Sequence, residues 1–299
     1  MSRSRTSLAA CAALLLVTLV WGTTFPAMKA VSQHMPPALM VGLRWALAAA
    51  LLSPFVEWRN RALWRDAALL SAALFASFVL QVIGLTMMSA GRNAFLTALN
   101  VIMVPLMLPL LGGRIGLRVW IATALACVGI VVMSYEQSSG WLGDVLTFLC
   151  AIAFAFYVLG MERFAPRHGA RALAGAQAIA MTLLSPLWIA GEWLYWGDSY
   201  AQQASGIREV WLQLLYLGVI CSAAALILQT WAQARASAVQ AALIYALEPF
   251  FAATFAAWWL HEAFGARAML GGALIIVAMI VSQWPGKPHP GAEHPHAPN

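Results

Sequence analysis

The feature of this sequence that most constrains its fold is a series of ten continuous apolar stretches, each about twenty residues long. A stretch of that length crosses the hydrocarbon core of a bilayer as an α-helix, whereas the strands of a membrane barrel alternate apolar and polar residues. The sequence therefore predicts an all-α integral membrane protein with ten transmembrane helices. The predicted spans are residues 8–28, 36–56, 67–88, 94–111, 117–134, 141–161, 172–195, 210–231, 238–260 and 266–284.

The composition excludes soluble classes of protein. Hydrophobic residues make up 62% of the 299 and charged residues 9%, whereas an ordinary soluble domain is about 25% charged. So few charges cannot cover the surface of a soluble domain of this length, and they leave no basic patch for nucleic acid. The four cysteines lie singly within apolar spans. We interpret them as packing residues, because no pair has the spacing of a metal or redox motif.

The distribution of Lys and Arg predicts the orientation. Positive residues accumulate in cytoplasmic loops. If the N-terminus is cytoplasmic, 12 of the 17 fall in cytoplasmic loops, four fall outside and Arg44 lies within a span. The opposite orientation reverses this ratio, so both termini are predicted to be cytoplasmic.

Two parts of the sequence resemble each other. The segment from Thr86 to Pro105 matches the segment from Thr230 to Pro249, and the run from Leu111 matches the run from Leu260. Span 4 then corresponds to span 9, and span 5 to span 10. A five-helix unit has an odd number of crossings, so its second copy is inverted relative to the first. Inverted repeats are typical of transporters that bind substrate near the membrane midplane. The predicted domains are residues 1–135, residues 136–284, and a disordered cytoplasmic tail at 285–299.

Four motifs in this order resemble the drug/metabolite transporter superfamily, and specifically its ten-helix EamA-type members. They are LVWGTTFPAMKAV in span 1, LRWALAAALL in span 2, SAGRNAFLTALNVIMVPLM in span 4 and LEPFFAATFAAWWLHEAFG in span 9. The resemblance covers about residues 8–284. It implies an exporter of small metabolites in the bacterial inner membrane, with a central cavity lined mainly by helices 1, 3, 4, 6, 8 and 9.

Two ionisable residues lie deep within predicted spans, Arg44 in span 2 and Glu248 in span 9. Ionisable groups inside a membrane are costly and are therefore candidates for function. Glu248 either titrates or contacts a substrate ammonium group, or it has a structural role. In the structural role it fixes the packing by accepting hydrogen bonds from a neighbouring helix or by pairing with Arg44. For Arg44 a structural role is the favoured interpretation, and contact with a substrate carboxylate is the alternative.

Further candidates are polar or aromatic residues in spans of the implied cavity. Amides and hydroxyls within a membrane either join helices by hydrogen bonds or contact the substrate. Aromatic rings at corresponding places in the two halves could form apolar walls. The candidate substrate-binding residues are Trp21, Phe25, Gln81, Thr97, Asn100, Tyr157, Gln229, Tyr245 and Glu248.

The sequence contains no catalytic or metal-binding motif and no sign of a cofactor, so we do not expect an enzyme. The expected function is export of small metabolites by alternating access, with amino acids, above all aromatic ones, as the leading class. Efflux of cationic or other organic compounds is the first alternative, and an intramembrane enzyme is the second. The expected partners are the substrate and membrane lipid, with no nucleic acid. The protein is expected to be a monomer or a weak homodimer.

Overall fold

A computed structural model describes residues 3–107, 109, 116–134, 141–197, 199–261 and 265–283. These residues form helices and turns, with no strand among them. The tail at 285–299 lies outside the described residues. The α-helices are α1 Arg3–Val31, α2 Pro37–Leu52, α3 Arg61–Thr86, α4 Ala90–Thr97, α5 Asn100–Leu106, α6 Leu117–Ser134, α7 Trp141–Phe164, α8 Ala170–Trp196, α9 Ser199–Ala204, α10 Trp211–Leu215, α11 Ala225–Gln233, α12 Ala238–Tyr245, α13 Glu248–Trp259 and α14 Ala266–Gln283.

Six helical segments in the described part of the chain are long and apolar enough to cross a membrane, and they coincide with predicted spans 1, 2, 3, 6, 7 and 8. Helices α6 and α14 cover predicted spans 5 and 10 with shorter apolar cores. The six long segments are Leu8–Val31, Pro37–Phe55, Arg61–Thr86, Trp141–Arg167, Ala170–Trp196 and Trp211–Gln233.

Predicted spans 4 and 9 are each interrupted, so treating them as continuous helices was wrong. Helix α4 ends before Ala98 and α5 begins at Asn100, whose side-chain amide donates to the carbonyl of Thr97 at 2.8 Å. Such a local side-chain bond competes with the helical ladder. Helix α12 ends at Tyr245 and α13 begins at Glu248, beside Pro249. Proline has no N–H to donate to the carbonyl one turn earlier, which accounts for this interruption.

The two interrupted helices are built alike. Ser89 and Ser237 are the N-caps of α4 and α12, and each hydroxyl accepts a hydrogen bond from the backbone three residues later. The two serines are 148 residues apart, and so are Asn100 and Glu248, where the second halves begin. The sequence comparison had aligned the two segments at a separation of 144. The structural correspondence differs from that alignment by about one helical turn.

Helix packing brings the interrupted helices to the centre of the bundle. Helix α1 packs against α13 and α11, α3 against α7 and α8, and α4 against α7 and α13. The α1–α13 crossing is close: a Cβ atom added at Gly22 would lie 3.0 Å from the backbone nitrogen of Ala252. Because glycine has no side chain, α1 and α13 can approach more closely here than a larger residue would allow, and small residues commonly serve this purpose between membrane helices.

A π-helix, Tyr216–Ala224, joins α10 to α11 within the span that packs against α2. Its wider turn lets the hydroxyl of Ser222 donate to the carbonyl of Leu217, five residues earlier, at 2.8 Å. The hydroxyl of Tyr216 is 2.5 Å from that of Thr23 on α1. π-Helical segments are frequent at functional sites, and this one lies in the wall of the cavity described below.

Candidate functional site

A small cavity lies between the central helices. Its walls come from predicted spans 1, 2, 3, 4, 6, 8 and 9, which adds span 2 to the helices implied by the family resemblance. The lining residues are Trp21, Thr24, Arg44, Trp45, Leu74, Ser77, Phe78, Gln81, Thr97, Phe154, Cys221, Ser222, Leu226, Gln229 and Glu248.

Five of the nine sequence candidates line this cavity: Trp21, Gln81, Thr97, Gln229 and Glu248. The other four, which are Phe25, Asn100, Tyr157 and Tyr245, are fully buried and do not line it.

Two of the buried candidates hold a lining residue in place. The phenol of Tyr157 donates to Oε1 of Gln229 at 3.1 Å, and Nε2 of Gln229 donates to Oε1 of Gln233 at 2.9 Å. Tyr245 donates to the same Gln233 oxygen at 3.4 Å. This network fixes the Gln229 amide, because each of its polar atoms has a defined partner.

Aromatic rings form one wall of the cavity. The ring centroid of Trp21 lies 5.8 Å from that of Phe154, in an edge-on arrangement, and 5.4 Å from that of Tyr245. On α2 and α3, Trp45 and Phe78 meet edge-on at 5.5 Å. Aromatic pairs at these separations and angles are stable contacts. The cavity therefore presents rigid apolar surfaces to whatever it binds.

Arg44 brings a positive charge into the cavity wall. Its side chain is 1% exposed, Nε donates to the Ser222 hydroxyl at 2.9 Å, and Nη1 lies 3.2 Å from the Met28 sulfur. The guanidinium carbon lies 5.0 Å from the centre of the Phe78 ring. Within the described chain, Arg44 has no carboxylate partner, and Nη2 has no hydrogen-bond acceptor.

Glu248 brings a carboxyl group into the same cavity. The residue is 6% exposed and lies in the first turn of α13, whose N-terminal end carries a partial positive charge. The structure describes neither a hydrogen bond nor an ion pair to this carboxyl group. It therefore does not show the pairing of Glu248 with Arg44 that the sequence left open.

Several lining residues were not among the sequence candidates, including Arg44, for which a structural role had been favoured. On α3, Leu74, Ser77 and Phe78 lie on the same helical face as Gln81, at spacings of three and four residues. That spacing was a usable signal once Gln81 had been selected. Ser222 is itself a polar residue deep within predicted span 8, whereas nothing in the sequence comparably marks Phe154, because its position depends on how α7 packs.

Polar contacts tie the helices together at both ends of the cavity. At one end, Arg92 and Asp144 form a two-bond ion pair between α4 and α7, at 3.0 and 2.7 Å. Beside it, Nζ of Lys29 donates to the carbonyls of Leu85 and Met88, at 2.8 Å each.

At the other end, Oε2 of Glu162 accepts a hydrogen bond from the backbone nitrogen of Ala238, the first residue of α12, at 3.1 Å. The carboxylate of Asp66 on α3 meets Nε2 of His168, after α7, at 2.9 Å. Contacts of these kinds hold the central helices in one arrangement.

Comparison with protein families identifies the chain. The model of the EamA-like transporter family matches it twice, over residues 8–135 and over residues 141–283. The chain belongs to the EamA-like transporter family. It is accordingly a membrane transporter.

Individual relatives agree with this family. An uncharacterized transporter of Archaeoglobus fulgidus is 27% identical over 269 residues, which are 90% of this chain and 83% of the relative. The uncharacterized inner membrane transporter YedA of Escherichia coli K12 is 28% identical over 153 residues, 48% of this chain and 50% of YedA. A solved crystal structure shares the fold with a TM-score of 0.65 at 19% identity, covering 94% of this chain and 97% of its own.

Proposed function

We propose that this EamA-like transporter exports small organic metabolites, with amino acids as the leading class and aromatic amino acids first among them. The observation that carries the proposal is the central cavity, which combines aromatic walls with one positive and one negative side chain. A buried, mainly apolar pocket with a few convergent polar groups is the usual form of a small-molecule site. The proposed membrane is the bacterial inner membrane, as in the name of the relative from Escherichia coli.

The proposed architecture is ten crossings in two inverted repeats, residues 1–135 and 136–284, with both termini cytoplasmic. Each interrupted helix counts as one crossing. The helix contacts support this reading. In the two proposed repeats α1 corresponds to α7, α3 to α11 and α5 to α13; the α1–α13 contact then has its counterpart in α7–α5, and the α3–α7 contact in α11–α1, and all four contacts occur. The helices of the α2–α8 and α6–α14 contacts correspond to each other.

The proposed mechanism is alternating access around the cavity. Interrupted helices near the midplane are the usual binding elements of transporters built from inverted repeats. Each open state would break the polar contacts at one end of the cavity, for example Arg92 with Asp144, and keep those at the other. Energy would come from the substrate gradient or from protons.

Efflux of cationic compounds is a second candidate, because Glu248 could serve as their countercharge. Arg44 argues against this candidate. It lines the same cavity without a carboxylate partner, and a buried like charge repels a bound cation. We therefore favour substrates that are neutral overall.

Purified protein in liposomes tests the proposal. We expect radiolabelled phenylalanine or leucine to move down its gradient without ATP. A Gln81→Trp variant should lose this flux by filling the cavity, while Leu183→Trp, on the membrane-facing surface of α8, should retain it. Equal flux in Gln81→Trp and in wild type would place the pathway elsewhere. No flux of amino acids, amines or nucleosides in correctly inserted protein would reject transport of these classes.

A further inference from the structure

Two opposite charges line one cavity, and neither has a described countercharge. Arg44 comes from α2 and Glu248 from α13, so they enter the cavity from different walls. Burying an ionised group without a partner costs several kcal/mol or more. A purely structural role for both residues would not explain why these two unpaired charges line the same cavity. A ligand that carries both complementary charges would offset the cost of burying Arg44 and Glu248.

The guanidinium of Arg44 is suited to a carboxylate. Nε donates to the Ser222 hydroxyl, Nη1 lies 3.2 Å from the Met28 sulfur, and the guanidinium carbon lies 5.0 Å from the centre of the Phe78 ring. These contacts hold the guanidinium in place and leave Nη2 without a described acceptor. Nη2 can therefore donate a charge-assisted hydrogen bond to a carboxylate.

The carboxyl group of Glu248 is suited to an ammonium group. It accepts no described hydrogen bond, so its oxygens remain free to accept from a ligand. Burial disfavours the ionised carboxylate, and the positive end of the α13 dipole offsets only part of that cost. An ammonium group within contact distance would favour the ionised carboxylate.

We propose that the cavity binds its substrate as a zwitterion, with the substrate carboxylate on Arg44 and the substrate ammonium on Glu248. The side chain of the substrate lies against the aromatic wall formed by Trp21 and Phe154. This inference rests on the proposed function of the same cavity, and it specifies the substrate as a free amino acid with both ionic groups unblocked. An amide in place of the substrate carboxylate, or an acetyl group on its nitrogen, removes one ionic contact and leaves one charge of the cavity unpaired.

Three ligands of similar size separate the two contacts: phenylalanine, N-acetylphenylalanine and phenylalaninamide. The first carries both charges, the second only the carboxylate, and the third only the ammonium. Affinity is measured on the purified full chain in detergent, by calorimetry and by the rise in unfolding temperature that a bound ligand causes. For the wild type we expect phenylalanine to bind roughly 100-fold more tightly than either blocked analogue, which is the usual effect of losing one hydrogen bond to a charged group.

Two substitutions should shift this preference in opposite directions. With Glu248→Gln, phenylalanine should lose its advantage over N-acetylphenylalanine. With Arg44→Gln, it should lose its advantage over phenylalaninamide. Glu192→Gln is the matched control, because Glu192 is a partly buried carboxyl group on α8 that accepts a bond from the backbone nitrogen of Ala38 and does not line the cavity. This control should retain the wild-type order of affinities.

The wild-type series alone can overturn the inference, even if a variant fails to fold. Equal binding of phenylalanine and its two blocked analogues by wild type would overturn it, and so would variants whose losses do not follow the charge removed. Flux of a metabolite without charge selectivity would reject the zwitterion site and leave the transport proposal standing. Charge-selective binding without flux in liposomes would retain the site and reject transport.

Discussion

Replacing Asp144 with alanine is expected to lower the free energy of unfolding by about 3–5 kcal/mol, as removal of one partner from a buried ion pair does. Arg92 and Asp144 have side chains only 8% and 12% exposed, and they share two hydrogen bonds between α4 and α7. Alanine at 144 leaves the guanidinium buried without this partner. Chemical or thermal unfolding of the protein in detergent micelles measures the effect.

Two further variants show whether burial is the cause. Arg92→Met combined with Asp144→Leu removes both charges and should recover most of the lost stability. Glu209→Ala removes one partner of the exposed pair between Glu209 and His34, whose side chains are 68% and 44% exposed. Exposed pairs contribute about 0–1 kcal/mol. A loss for Asp144→Ala no greater than that for Glu209→Ala would contradict the account of α4 given above.

Gly22→Ala is expected to destabilise the protein by about 1–3 kcal/mol, the usual cost of forcing atoms into a packed contact. The added methyl group meets Phe251 and the backbone of Ala252, and a backbone atom cannot rotate away as a side chain can. Helix α13 must therefore move away from α1. Since Ala252 lies about one helical turn beyond Glu248, we also expect a lower rate of amino acid flux in liposomes.

Gly191→Ala provides the matched control for this prediction. Gly191 lies in α8, and a Cβ atom added there has nothing within 4 Å. Alanine has the higher helix propensity, by about 0.8–1.0 kcal/mol. The control should therefore unfold at the same or a higher temperature than the wild type. Equal effects of the two substitutions would show that the close crossing of α1 and α13 does not limit stability.

Much of the helical architecture could be predicted from the sequence, because apolar length dominates the structure of a chain in a membrane. The long helices α1, α3 and α7 illustrate this. The interruptions of spans 4 and 9 were harder to predict, although Pro249 gave a local signal for the interruption of span 9. The separation of 148 residues between corresponding positions was missed because small residues recur along both segments. Shifting such a helix by one turn keeps similar residues on the same face.

The cavity was harder to predict than the helices, because the packing of the helices decides which residues line it. Gln81 and Thr97 were selected as polar residues in apolar spans, and the structure joins them by a 3.4 Å contact between Nε2 and Oγ1. Asn100 was selected for the same reason, yet its amide bonds to the carbonyl of Thr97 at the end of α4. For Arg44, the sequence marked a costly charge but could not reveal that Ser222 and an open cavity face it.

The short interrupted helices also bear on how the protein is made. Helices α4 and α5 have 8 and 7 residues, about 12 and 10 Å of helix, and neither alone reaches across a 30 Å hydrocarbon core. On α4, Arg92 donates to Asp144 and Asn93 donates to Thr147. Both acceptors lie on α7, which the ribosome synthesises later. These contacts of α4 therefore form only after α7 has been synthesised. Residues 8–135 and residues 141–283, which each match the family model, thus depend on each other during biogenesis.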